Sequence, residues 1–246
     1  MEPGRADRLA VIYERHRKEL VSFATRLVVR GAIAEDIAQE AALRLLQQDS
    51  LPVDDENVRA WLFRVVTNLG IDHLRRHSTR KELVLLDIRV RAEGDTQFMA
   101  ESSALRGSPE TRAIAREHLI ACFACTLRNL PAQHAVSLLL KEVYGFTVRE
   151  VADLLNATFP QVKNWIQDAR RDLDSKYSTT CALIAKQGVC YQCVELDQFF
   201  NGTTTDPLEG TSRDLDARLA ILREHRASPL GPWHAKMLQL VQDVIN

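Results

Sequence analysis

RAWLFRVVTNLGIDHLRRHSTRK, Arg59 to Lys81, decides how the rest of the chain is read. Apolar Trp61, Leu62, Val65, Leu69 and Leu74 recur at three- and four-residue steps, the spacing of a helix packed on one side. Trp61 is expected in the core. The polar remainder, Arg64, Thr67, Asn68, Asp72, Arg75 and Arg76, grows more basic toward Arg80. Cations hold phosphates and amides read base edges, so such a helix suits contact with an opened nucleic-acid strand. Asn68 offers both a donor and an acceptor for an unstacked base.

A second block, Gly145 to Leu173, has the pattern of a DNA-reading helix-turn-helix. Thr147 to Leu155 makes a short helix, Asn156 turns the chain, and Thr158 caps a longer helix with Pro160 in its first turn. The amino end of that helix carries Gln161, Lys163 and Asn164 toward a major groove. Gln161 and Asn164 suit base edges, while Lys163, Arg170, Arg171 and, from the preceding helix, Arg149 suit phosphates. Val162, Ile166, Ala169 and Leu173 fall on the packing face.

The two blocks together resemble the extracytoplasmic-function group of the sigma-70 family, the factors that bring bacterial RNA polymerase to promoters. The resemblance covers residues 8 to 77 and 109 to 177. AEDIAQEAALRLL, Ala34 to Leu46, is similar to the family's polymerase-binding helix, which implies core-polymerase contacts at Glu35, Asp36, Gln39, Glu40 and Leu43 against the clamp. NVRAWLFRVVTNLGIDHLRR, Asn57 to Arg76, resembles the segment that melts and reads the minus-ten element. TFPQVKNWIQDARRDL, Thr158 to Leu173, resembles the recognition helix for the minus-thirty-five element, which adds Thr158 and Gln167 to the DNA-contact set. Asn156 stands where a glycine is usual. Core RNA polymerase, through its clamp and flap, promoter DNA and an anti-sigma factor are the partners that the resemblance implies.

Composition bounds the alternatives. The 246 residues are 46% hydrophobic, enough for two or three small cores. Lys and Arg total 32 against 33 Asp and Glu, a formal charge of -1, so nucleic-acid affinity must come from segregated charge. No apolar run reaches membrane-spanning length, and MEPGRADR lacks a signal-peptide core, so a cytoplasmic location is expected. No phosphate loop, nucleophile elbow or zinc-hydrolase motif appears, and no enzyme is expected.

The pattern is all-α: two small helical domains joined by a flexible linker, plus a helical carboxyl-terminal extension. The expected boundaries are 1–78 for the melting and polymerase-binding domain, 79–108 for the linker, 109–176 for the helix-turn-helix domain and 177–246 for the extension. The linker holds a short strand-like patch at Val84 to Ile88. Within the extension, Val189 to Phe200, Arg213 to Arg226 and Trp233 to Ile245 read as helices.

The five cysteines leave alternatives open. Cys122 and Cys125 form one C-x-x-C, Cys190 and Cys193 another, and Cys181 follows the second domain. At roughly 100° per residue, His118, Cys122 and Cys125 fall opposite the apolar face of Ile120, Phe123, Leu127 and Leu130. Either the extension covers that face, or thiol and imidazole groups gather there for a redox switch or a metal, zinc or monovalent copper. Free cysteine packing alone explains them equally well. No cofactor is required by the promoter-factor reading. The extension is expected to dock on one or both DNA-binding domains and modulate access, or to serve as a stabilising cap. The competing reading is a dimeric helix-turn-helix regulator that binds duplex operators without core polymerase.

Overall fold

The apolar rhythm of the first 76 residues becomes three helices packed on one another. The computed structural model describes residues 4–28, 31–50, 52–76, 94, 96, 127, 130–180 and 215–227. In it α1 spans Arg5–Val28, α2 Gly31–Leu46 and α3 Asp55–Arg76. Leu9, Leu20, Phe23 and Leu27 of α1 meet Ala34, Ala38 and Leu45 of α2 and Val58, Leu62 and Val66 of α3 in a closed core. The inward face of α3 lacks a side chain at Gly70, where a Cβ would stand 2.9 Å from Leu27 Cδ1. Glycine there permits the close approach of α1 and α3.

Polar ties fix the register of these helices. The Tyr13 hydroxyl donates to the Ala38 carbonyl at 3.2 Å. Asp54 caps α3, accepting from Asn57 N at 2.9 Å and Asn57 Nδ2 at 2.8 Å, and these bonds hold its carboxyl below the usual range. Asp55, one residue on, pairs with Arg15 and lies 3.1 Å from His16 Nε2.

Three further helices follow: α4 Ala132–Glu142, α5 Val148–Leu155 and α6 Phe159–Thr180. Ala135 to Leu140 are all buried, so α4 is enclosed on every side. Gly145, at φ 78°, folds the chain back so that Phe146 N reaches the Leu140 carbonyl at 3.0 Å. Thr147 then caps α5 through a reciprocal box: its hydroxyl accepts from Glu150 N at 3.2 Å, and Glu150 Oε2 accepts from Thr147 N at 2.6 Å. Asn156 ends α5 in the left-handed conformation, φ 50° and ψ 48°, which asparagine tolerates better than other non-glycine residues. That turn delivers Thr158 to the start of α6. Val162, Ile166, Ala169 and Leu173 are buried, as the sequence pattern requires.

The last described helix, α7 Leu215–Glu224, falls inside the expected segment from Arg213 to Arg226. The described residues form seven helices and no strand. The patch at Val84 to Ile88, nearly all of the expected linker, and the segments Val189 to Phe200 and Trp233 to Ile245 lie outside them.

Two compact units divide the chain, and neither is continuous in sequence. One comprises Met1–Ser78, Pro131–Gln167 and His225–Pro229; the other comprises Thr79–Leu130, Asp168–Glu224 and Leu230–Asn246. Reading by motif kept residues 1–78 and 109–176 apart, whereas the first unit packs α4 and α5 against α3, and α4 against α1. Aromatic rings carry that packing. The centroids of Phe23 and Tyr144 are 5.1 Å apart, those of Phe63 and Tyr144 5.2 Å, and those of Phe63 and Phe146 5.1 Å. Tilted and edge-on contacts of this kind add to simple burial. Within the second unit, Leu215, Leu219, Ile221 and Leu222 of α7 are buried, and its Asp216 pairs with Arg170 of α6.

Candidate nucleic-acid interface

The outer arc of α3 carries Arg64, Asn68, Asp72, Arg75 and Arg76, all exposed. Spacings of four, four, three and one place them along one stripe. Asp72 lies 4.0 Å from Arg75 and tempers its charge. Trp61 corrects the sequence expectation. It is half-buried rather than enclosed, because Val58, Leu62 and Val66 centre the packed face away from it, and it sits three residues before Arg64 and seven before Asn68. An indole thereby joins cations and an amide on one surface, the combination that stacks and holds an unpaired base.

Thr67 is a second correction. Expected on the reading face, it is fully buried, since one residue is a turn of 100° and carries it from the Asn68 arc to that of Phe63 and Ile71. Its hydroxyl has no hydrogen-bond partner among the described residues. Arg80 lies outside the described residues.

Two arginines of α3 are engaged inside the first unit. The exposed Arg64 donates to the Asp153 carbonyl of α5 at 3.1 Å. Arg59, not singled out by sequence, donates to the Tyr144 carbonyl at 2.9 Å and lies 4.6 Å from the Phe146 ring and 4.9 Å from the Phe63 ring. The YGF triplet at 144–146, two aromatics about a glycine just before a capping threonine, was the available signal for a docking turn.

In the helix-turn-helix, Lys163, Asn164, Gln167 and Arg171 are exposed on α6, and Arg149 is exposed on α5. Arg171 pairs with Asp168 at 2.8 Å. Thr158 and Gln161 serve the helix itself: Gln161 N donates to Thr158 Oγ1 at 3.4 Å, and Gln161 Oε1 accepts from Thr158 N and from Thr158 Oγ1, each at 2.9 Å. Only the amide NH2 of Gln161 is left to donate toward a base. Arg170, an expected phosphate contact, is held at 2.6 Å by the Asp216 carboxylate. Glu150 is held below the usual carboxylate range, first by the Thr147 hydroxyl and amide that it accepts from, with the Arg59 charge adding to them.

The expected polymerase-binding face lies on α2. Asp36, Gln39 and Leu43 are exposed, while Glu35 pairs with Arg17 at 2.8 Å and Glu40 with Arg44 at 2.7 Å. Leu43 is 58% exposed, a large apolar side chain among carboxylates and amides. His118, Cys122, Cys125, Cys181, Cys190 and Cys193 lie outside the described residues, and among the described residues no group of three His, Cys, Asp or Glu side chains is placed to hold a metal. No helix among them is long and apolar enough to cross a membrane.

Known proteins match along both blocks. The family model for sigma-70 region 2 matches residues 12–80, and that for sigma-70 region 4 matches residues 120–173. A probable ECF RNA polymerase sigma factor, SigI of Mycobacterium tuberculosis, is 26% identical over 220 residues, spanning 88% of this chain and 72% of that protein. The RNA polymerase sigma-H factor of Pseudomonas aeruginosa is 28% identical over 172 residues, 69% of this chain and 85% of its own. The ECF RNA polymerase sigma factor SigW of Bacillus subtilis is 26% identical over 174 residues, 70% and 90% of the two chains. The region 2 match ends just past the basic end of α3 and the region 4 match ends on α6, in the order the two blocks occupy along the sequence. By these matches and its all-helical build, the chain belongs to the sigma-70 family, as a non-enzymatic extracytoplasmic-function sigma factor with regions 2 and 4.

Proposed function

We propose that this chain is a cytoplasmic promoter-specificity subunit of bacterial RNA polymerase whose own carboxyl-terminal extension restrains its use of DNA. In this reading α2 binds core polymerase through Asp36, Gln39 and Leu43, with Glu35 and Glu40 supporting them. The Arg64 to Arg76 stripe of α3 holds the opened minus-ten strand while Asn68 bonds a base edge. The exposed face of α6 enters the major groove of the minus-thirty-five element, with Asn164 and Gln167 at bases and Lys163, Arg149 and Arg171 at phosphates. The domain boundaries are those of the sequence, 1–78, 79–108, 109–176 and 177–246.

One contact carries the regulatory half. The Asp216 carboxylate of α7 occupies Arg170 at 2.6 Å, an anion where a DNA phosphate would stand. Asp216 is largely exposed, so the pair is weak and yields to competition from a polyanion.

The test is promoter-specific run-off transcription with purified core polymerase, comparing the full chain with Asp216→Ala. The full chain should initiate, and the variant should initiate more strongly at sub-saturating DNA. Running both with and without added zinc or monovalent copper reads whether the cysteine pairs act on the same step. A chain that binds duplex DNA alone, yet initiates on no template, would instead be a conventional dimeric regulator.

A further inference from the structure

We infer that Arg26 is the buried pin of a latch that holds the α4–α5 turn, and with it the helix-turn-helix, closed over the strand-reading helix, fastened by the backbone of residues 225 and 226. This deepens the promoter-factor reading, on which it rests for what the latch withholds.

Arg26 lies in the last turn of α1 and is only 3% exposed. Its acceptors are neutral groups from three separate stretches of chain. Nη1 donates to Ser22 Oγ on its own helix, to the Tyr144 hydroxyl at 2.9 Å, and to the Arg226 carbonyl at 3.4 Å, while Nη2 donates to the His225 carbonyl at 3.1 Å. Nε is buried with no partner among the described residues. A guanidinium enclosed in this way is stabilised only while all those acceptors are present, because it has left water without gaining a carboxylate. Around it Glu19 joins the same pieces, accepting from Arg59 of α3 at 3.5 Å and from Arg226 Nε. One arginine and one glutamate of α1 therefore clasp the α4–α5 turn, α3 and the segment just after α7.

The closed arrangement is incompatible with promoter use. Elements centred about 25 base pairs apart are separated by ~85 Å, at 3.4 Å per base pair along a strand. In this structure Arg64 of the minus-ten reader bonds directly to the Asp153 carbonyl of the minus-thirty-five reader, at 3.1 Å. The two readers cannot serve both elements until they part. Parting rehydrates Arg26 and Arg226, which offsets the lost hydrogen bonds and makes the latch reversible.

The experiment uses full-length wild type, Arg226→Glu and Tyr144→Phe. The first variant sets two carboxylates against each other at a half-exposed site. The second removes one hydroxyl and keeps the ring among Phe23, Phe63 and Phe146. Small-angle X-ray scattering reads expansion, circular dichroism reads helix content, and run-off transcription with core polymerase reads function. Both variants should show a larger radius of gyration at unchanged helix content, with initiation raised several-fold at limiting factor. An unchanged radius in both overturns the latch. Expansion without added initiation, in a chain that does transcribe, overturns its inhibitory role. Expansion with no initiation from any chain leaves the latch standing and overturns the promoter-factor reading instead.

Discussion

Asn156 holds φ 50° between α5 and α6, a backbone state that costs most side chains roughly 1–2 kcal/mol. Asn156→Gly should therefore leave thermal stability unchanged or slightly raised, whereas Asn156→Val should lower it by about that amount, as urea unfolding would read. Thr67 and Asn68 make a sharper pair. The Thr67 hydroxyl is enclosed and unpartnered, so Thr67→Val should be neutral or stabilising by up to about 1 kcal/mol and should leave promoter transcription intact. Asn68→Ala should leave stability and core-polymerase binding intact and impair initiation, because its exposed amide is the group proposed to bond a base. Equal loss of transcription in both variants would remove Asn68 from its role. Asp36→Arg, exposed on α2, should instead weaken core binding itself.

At the scale of the element, two helices begin with the same device, a threonine with an acceptor side chain three residues on: Thr147 with Glu150, and Thr158 with Gln161. Thr147→Ala should cost about 1 kcal/mol by removing one of them. The Glu150 box also carries a pH signature. Its folded carboxyl titrates below the unfolded value of about 4.3, as Asp54 does at the start of α3 relative to about 3.9. Each therefore contributes stability that is present above the unfolded value and lost as pH falls through the depressed folded value. Acid unfolding of the wild type should steepen below about pH 4, and Thr147→Ala should flatten that dependence. The Thr158 cap and the packing face of α6 were legible because both are local patterns, and the Thr147–Glu150 box follows the same S/T-x-x-E/Q rule. Gln161, expected at a base, has its oxygen taken by the helix end, which leaves only its NH2 for that role.

Across the whole molecule, the balance of charge hides the cations that matter. Lys163 and Arg149 are exposed, while Arg170, Arg59 and Arg64 are engaged with acceptors of this chain. Lys163→Ala should weaken DNA binding across all sequences and lower the salt slope by about 1. What sequence could not disclose is the pairing of residues 118 positions apart, Arg26 with Tyr144. Arg26 did leave a trace, a cation within an apolar stripe with no acidic residue within four positions on either side. A buried cation predicts only that some acceptor must exist, and which segment supplies it is decided by tertiary packing.

Four rings, Phe23, Phe63, Tyr144 and Phe146, form the joint that packs α1 and α3 against the α4–α5 turn. Separating the readers wets aromatic surface, so engagement of polymerase must carry a positive heat-capacity increment on top of the negative one from the new interface. Calorimetry across a range of temperatures should then return a smaller heat-capacity change for the wild type than for Arg226→Glu, which has already opened. The same wetting should make the closed form lose ground on cooling, when apolar contact weakens, so the radius of gyration of the wild type should rise as temperature falls.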